Sequence, residues 1–253
     1  DIYEVSTDAF RLLEGGQGMQ VLTLLRGGMV NAQAKAPVTR ISKGRKHGGA
    51  SLLQAAVETL SGPLMMEVAT TLLDFGARPQ VADAAGHTAL HAACAKGAGS
   101  LVQLLLDHQA DPSMVSGGKQ TAVHLALEYF LSQDTVEARL AGIRTDLRDY
   151  SPVLQEEDLR LGRCVQQMLS AKPELAQALN GQQKTPVMLV REALKEVISW
   201  LLRFRRHCLS KEKPFSRGQV LRLSSVPDCI YDQLGESVWE GWPQSCLPEM
   251  TAL

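Results

Sequence analysis

Apolar residues change their rhythm between Thr88 and Leu106. Leu90 is followed by the small Ala92, Ala93 and Cys94, then by Gly97, and only afterwards by Val102, Leu105 and Leu106 at the i, i+3, i+4 spacing of one helix face. The first half predicts a short helix, opened by Thr88 as a cap, closed by Gly97 and able to pack closely through its small side chains. The second half predicts an antiparallel partner helix. Such a pair cannot bury its apolar face alone, so the pattern calls for neighbours of the same kind stacked on either side.

The chain supplies them. Thr88-Ala89-Leu90-His91-Ala92-Ala93 recurs as Thr121-Ala122-Val123-His124-Leu125-Ala126, 33 positions later. The stretch DAAGHTALHAACAKGAGSLVQLLLDHQADP resembles an ankyrin repeat, whose pattern runs D-x-x-G-x-T-P-L-H-x-A-A, a Gly turn, V-x-x-L-L-L, and then G-A-D. Asp83, Gly86, Thr88, Leu90, His91, Ala93, Gly97, Val102, Leu104 to Leu106, Ala110 and Asp111 fall on it in order.

With the register set, weaker copies emerge. Ala50, Leu52, Ala55 and Ala56 match the first helix of a preceding repeat and Leu72, Leu73, Gly76 and Ala77 its second, with about five extra residues near Ser61-Gly62-Pro63 between them. Further upstream, Gly16, Val21, Leu24, Leu25, Gly28 and Val30-Asn31-Ala32 fit an atypical first repeat that carries Leu12 and Leu13 instead of the small pair. Downstream, the outer-helix signature of the repeat opened by Thr121 begins only at Cys164. Thr185-Pro186-Val187-Met188-Leu189 then restarts the pattern, Trp200-Leu201-Leu202 falls where the next outer helix belongs, and Arg191 at a normally small position suggests a terminal cap.

The resemblance therefore implies an all-α solenoid of stacked antiparallel helix pairs, with about five repeats over residues 6 to 206, a helical insertion and an irregular C-terminal tail. Residues 1–206 are expected to form the repeat domain and 207–253 the tail or cap. Two segments interrupt the stack. Residues 33–49, QAKAPVTRISKGRKHGG, carry Lys35, Arg40, Lys43, Arg45, Lys46 and His47 and read either as a solvated loop or as a patch for nuclear import or an acidic partner. Residues 131–163 place Val136, Leu140, Ile143 and Leu147 at helical spacing, as an amphipathic helix packed on the stack or on a partner.

Composition narrows the class without choosing the function. At 253 residues with 45% hydrophobic content the chain can bury a substantial core, and its net charge of −1 gives no whole-chain reason to expect nucleic acid. No apolar run has the length of a membrane span, and DIYEVSTDAF has neither a basic start nor a signal core. The missing initiator Met is what a fragment would show. Five widely spaced cysteines, Cys94, Cys164, Cys208, Cys229 and Cys246, without a CxxC pair, favour reduced thiols and a cytoplasmic or nuclear address.

The chemical motifs are negative. His87 and His91 are four apart with Cys94 three further on, but a finger turn before Thr88 would put His87 off the helix, and no Glu follows His87 to complete H-E-x-x-H. His91 and His124 are better read as recurring structural histidines that hydrogen-bond neighbouring backbone. No phosphate loop, dinucleotide fingerprint or nucleophile elbow occurs, so neither a catalytic residue nor a cofactor nor a metal site is expected.

What the resemblance implies instead is recognition of a partner protein by finger turns and inner helices along a concave face, in a non-catalytic adaptor, scaffold or regulatory module. The partner-facing residues it implies are Ala85, His87, Ala95, Lys96, Lys119, Gln120, Leu125, Glu128, Tyr129, Gln183 and Lys184. Partners are expected to be proteins, with no nucleic acid, no membrane insertion and no small-molecule substrate. Tyr129 with Phe130 is the most suggestive pair, as a binding hot spot or as packing against the insertion. Two finger sequences depart from the pattern. S-G-G-K-Q-T has its Gly one place early and N-G-Q-Q-K-T has Gln in its place, so neither turn is expected to be an ordinary finger.

Many ankyrin proteins carry a SOCS box after the repeats, which recruits ubiquitin-ligase components. Leu221, Leu223, Cys229 and Leu247-Pro248 give that pattern a loose likeness, without the Leu four places before Cys229. A ubiquitin-ligase substrate receptor, or a structural ankyrin domain of a larger protein, are the alternatives that follow.

Overall fold

The computed structural model describes residues 2–35, 41–42, 45–46, 49–132, 155–195, 197, 226–235 and 238. Its helices follow one another as antiparallel pairs. The inner layer is α1 (Ile2–Glu14), α3 (Leu52–Thr59), α5 (Ala89–Ala95) and α7 (Ala122–Ser132), and the outer layer is α2 (Gly18–Arg26), α4 (Gly62–Asp74), α6 (Gly99–Asp107) and α8 (Glu156–Ala171). Residues 186–195 form a fifth inner helix, α9. Inner helices pack on inner and outer on outer, α1 on α3 on α5 on α7, and α2 on α4 on α6 on α8. The result is the all-α solenoid expected, with one element outside that description: a hairpin of β1 (Ile41–Ser42) and β2 (Arg45–Lys46), paired Ile41 with Lys46 and Ser42 with Arg45, lies within the basic segment.

The core runs through the stack as one cluster from Ala9 to Val238. Small residues make it possible, since Ala56, Ala93, Cys94 and Ala126 are fully buried where neighbouring inner helices meet, while Leu22, Leu72, Leu101 and Leu105 fill the seam with the outer layer. Each fully buried leucine stabilises the fold by roughly 2 kcal/mol.

Departures from the 33-residue frame are absorbed by outer helices. The extra residues near Ser61 lengthen α4 to 13 residues where α2 and α6 have nine, with Pro63 in its first turn. After α7, residues 133–154 lie outside the described residues, and with them the stripe Val136, Leu140, Ile143 and Leu147. The chain re-enters at Gln155, and α8 begins at Glu156, eight residues before Cys164. Beyond α9, Trp200-Leu201-Leu202 also falls outside the described residues. Helix α10 (Asp228–Leu234) packs on α8, with Val226, Ile230, Tyr231, Leu234 and Val238 buried, Pro227 against Gly162, and Ser170 hydrogen-bonded to Gln233 at 3.0 Å.

Candidate functional site

Finger turns are built by short-range hydrogen bonds at their base. Asp83 N–H donates to the His87 carbonyl, Ser116 to Gln120 and Asn180 to Lys184, at 2.9 to 3.0 Å. In the first finger the Asp83 carboxylate takes the N–H groups of Ala85 and His87, and in the third the Asn180 side chain takes those of Gln182 and Lys184. Ser116 Oγ accepts from Gln120 N–H in the second.

The two irregular sequences are therefore ordinary fingers after all. Gly86 at φ +76° is matched by Lys119 at +55° and Gln183 at +58°, side-chain-bearing residues held in the left-handed region by the turn around them. The displaced glycines answer a different demand. Gly117 N–H donates to the Ala85 carbonyl at 2.6 Å and Gly181 N–H to that of Gly118 at 2.9 Å, so successive fingertips are laced together. A Cβ on Gly181 would stand 2.7 Å from the Gly118 carbonyl oxygen, which is why a residue without one occupies the approach.

Behind the fingers, histidines tie each repeat to the next. His91 Nδ1 accepts from Thr88 N–H at 3.2 Å, so the ring proton sits on Nε2 and is donated to the Gln120 carbonyl of the following finger at 3.2 Å. His124 repeats this, accepting from Thr121 N–H at 3.3 Å and reaching the Lys184 carbonyl at 3.2 Å. Burial lowers the pKa of both rings against the pull of those carbonyls, keeping them neutral. In the preceding repeat Gln54 takes the same place and bonds Asp83 at 3.1 Å. The expected structural role of these positions is the one the geometry displays.

The eleven candidate contact residues divide into two groups. Ala85, Lys119 and Gln183 are exposed at fingertips, Ala95 is exposed on the inner face, and His87 is half-buried at a finger base. Gln120 Nε2 donates to Glu128 at 2.8 Å, and Lys184 pairs with Glu192 at 2.7 Å, so each finger base is joined to the inner helix behind it. Burial raises the Glu128 pKa, partly offset by Gln120. Leu125 lies half-buried against the core.

Lys96 and Tyr129 belong elsewhere. Lys96 Nζ donates to the carbonyls of Glu58 and Leu60 at 2.8 and 2.9 Å, capping the end of α3. The Tyr129 ring covers Gly97, where any Cβ would collide with it, and its hydroxyl donates to Asp158 at 3.0 Å, with the phenol pushed up to about 12 by burial and by that carboxylate. Its neighbour Phe130 is buried, with the two rings edge to face at 5.7 Å. Both Lys96 and Tyr129 line a cavity of about 600 Å3, away from the fingers, with Leu60, Pro63, Met65 and Leu101 as its apolar wall. The residue pattern carried no signal for this cavity. It arises from the extra turn of α4 and the early start of α8, both irregularities in the frame.

Further ties were equally invisible beforehand. Glu157 accepts from the backbone N–H of Ser100 at 2.8 Å and from its hydroxyl; burial opposes the charge, but these bonds outweigh it and hold the carboxyl below its usual range. Lys172 at the end of α8 reaches Asp111 at 2.7 Å and, with Ser113, holds that carboxyl at about 2. Cys94 and Cys164 are buried thiols, that of Cys164 raised to about 11 by desolvation. Among the described residues no group of three His, Cys, Asp or Glu side chains is placed to hold a metal, and no helix is long and apolar enough to cross a membrane.

The helix pairs and their laced fingers present one long surface along the inner helices. Residues 52–149 match the family model described as Ankyrin repeats (3 copies). That part of the chain is an array of ankyrin repeats, a protein–protein interaction module. Among curated proteins, the mouse (Mus musculus) protein named Ankyrin repeat and SOCS box protein 16 is 40% identical over 88 residues. The match takes in 33% of this chain and 19% of that relative's length.

Proposed function

We propose that this protein is a non-catalytic adaptor or regulatory module, working in the cytoplasm or nucleus, that binds a partner protein across the fingers and inner helices of repeats two to five. The observation that carries this is the laced finger row. Fingers at 83–87, 116–120 and 180–184 share one backbone geometry, and Ala85, Ala95, Lys119 and Gln183 stand exposed along them while their neighbours are held by Glu128, Glu192 and the histidines. Neither nucleic acid nor a small-molecule substrate enters this reading.

The test places bulk where side chains hold nothing in the fold. Ala85→Arg, Ala95→Arg and Gln183→Arg together should leave the melting temperature unchanged and weaken capture of the partners retained by the unaltered chain by roughly tenfold or more, as interface disruption does. Retention of every partner by the folded triple variant would remove the concave face from the proposal.

A second reading is supported by the name of the mouse relative and by the loose SOCS-box likeness of the tail. Cys229 lies on α10, docked on α8, whereas Leu221, Leu223 and Leu247-Pro248 lie outside the described residues. In this reading the chain is a substrate receptor, with the repeats holding the substrate and the tail recruiting ubiquitin-ligase subunits. Co-purification of elongin and cullin subunits with the full chain decides it, and their absence under conditions that retain other partners would discard it.

A further inference from the structure

The cavity behind Tyr129 lies at the end of the inner helices opposite the fingers. Residues 60–63 and 96–98, which join inner helices to outer ones, face the first turn of α8 across it. Its volume of about 600 Å3 falls within the span of ligand sites, and Leu60, Pro63, Met65 and Leu101 give it an apolar wall.

Charge at its rim decides the class of ligand. The helix starts around the cavity already hold carboxylates of the chain itself. Glu157 takes the N–H of Ser100 at 2.8 Å and the Ser100 hydroxyl at the start of α6, and Asp158 takes the N–H of Gln155 at 2.9 Å at the start of α8. Lys96, a cation among the lining residues, directs its ammonium to the Glu58 and Leu60 carbonyls at the end of α3. An anionic ligand would therefore meet two carboxylates where the nearby donors are engaged with the chain. A cation finds the opposite. Each oxygen of Glu157 and Asp158 accepts one of the bonds to Ser100, Gln155 or Tyr129 and has lone-pair capacity for another. Among the described residues neither carboxylate forms a salt bridge, since Arg160 on the same helix pairs with Glu156.

Two adjacent carboxylates beside an apolar wall suit a cation carried on an apolar stem. Arginine fits better than lysine, because its planar fork can bridge two carboxylates and lie on the Tyr129 ring while its methylenes cover the wall.

We propose that this cavity is a second recognition site, separate from the concave face, which takes an arginine of a partner protein together with the apolar side chain next to it. The guanidinium lies at Glu157 and Asp158, and the apolar neighbour fills the depth against Met65 and Leu101. An arginine and an apolar anchor seated in one pocket are the kind of contact that concentrates binding energy in protein interfaces. Nothing in this site depends on the fingers.

The test uses the full chain carrying carbon-13-labelled methionine methyl groups, with the signals of Met65 and Met66, both in the cavity lining, identified by Met65→Leu and Met66→Leu variants. It is titrated with the tripeptide acetyl-Leu-Arg-Leu-amide, with the same peptide carrying citrulline, which keeps the shape and lacks the charge, and with acetyl-Leu-Glu-Leu-amide. The arginine peptide is expected to shift both methyl signals saturably and to bind roughly tenfold more tightly than the citrulline peptide, as a charge-assisted pair does. In Glu157→Gln/Asp158→Asn, which keeps acceptors for Ser100 and Gln155, that preference should disappear while binding of the citrulline peptide persists. Ser61→Trp, at an exposed position of the lining, should weaken both peptides by roughly tenfold or more with the melting temperature unchanged, and so serves if the carboxylate variant folds poorly. Unmoved methionine signals, equal binding of the arginine and citrulline peptides, tighter binding of the glutamate peptide, or undiminished binding by folded Ser61→Trp would each overturn the proposal. The fingertip variant Ala85→Arg/Gln183→Arg should hold the arginine peptide unchanged, so that failure of the concave-face reading and failure of this site register in different measurements.

Discussion

Three side-chain-bearing residues, Gln109, Lys119 and Gln183, occupy the left-handed backbone region at φ of +61°, +55° and +58°. The repeat frame explains each, since Gly28 and Gly76 stand where Gln109 does and Gly86 where Lys119 and Gln183 do, all at positive φ. The turns persist because hydrogen bonds on both sides over-determine them, Gln109 N–H to the Leu106 carbonyl and Lys119 N–H to that of Ser116, both near 2.9 Å. Relieving the strain should stabilise the protein despite the greater freedom of an unfolded glycine. Gln109→Gly and Lys119→Gly are each expected to gain about 0.5–1 kcal/mol by urea unfolding, a gain that no loss of contact opposes at these exposed positions. From the sequence the two finger turns at Lys119 and Gln183 looked irregular because glycine is the visible mark of positive φ, and there the surrounding hydrogen bonds supply what the residue type does not.

At the scale of elements, the contact between α5, α7 and α8 shows how an inserted repeat is kept in the stack. Gly97, at φ +71°, ends α5 beneath the Tyr129 ring, and Tyr129 in turn holds Asp158 in the first turn of α8. Gly97→Ala combines left-handed strain with a clash against that ring and should cost about 2–3 kcal/mol in thermal or urea unfolding. Tyr129→Phe keeps the ring and removes only the hydroxyl, so about 1 kcal/mol is expected. A loss from the Phe variant as large as that from the Ala variant would show that the hydroxyl bond, not the ring, fastens the two repeats. The C-terminal end obeys the same logic: α10 packs on α8, with Ile230 and Leu234 buried.

On the scale of the whole molecule, stability is carried by contacts between neighbouring repeats, and some of these titrate. His91 and His124 sit neutral in the fold with pKa values lowered from 6.5, each donating to the next repeat. A lowered native pKa means that the unfolded chain binds protons first. The stabilisation is therefore fully present above about pH 6.5 and is lost as pH falls toward the native values. Melting temperature should decline on acidification from pH 7 to 5, and the decline should be smaller in the His91→Asn/His124→Asn variant. Asp111, held at about 2, contributes in the same direction at lower pH, between about 4 and 2, though its exposure to solvent keeps that contribution below about 1 kcal/mol.

Much of this architecture is local in origin, and that part was readable beforehand. Helix pairs, the caps at Thr88 and Thr121, the structural histidines and the 33-residue frame all follow from residues a few positions apart, because a repeat protein makes most of its contacts within a unit and with the next one. Its candidate contact positions could be named for the same reason. Other features needed the tertiary structure, because they depend on pairs far apart in sequence or on irregularities in the frame. Fingertip lacing between Gly117 and Ala85, the capping of α3 by Lys96, the seating of Tyr129 on Gly97 and against Asp158, and the cavity between α4 and α8 are of this kind. A repeat's sequence states what each unit is; how far an inserted residue displaces the next helix, and what then fills or lines the gap, is decided only when the units are stacked.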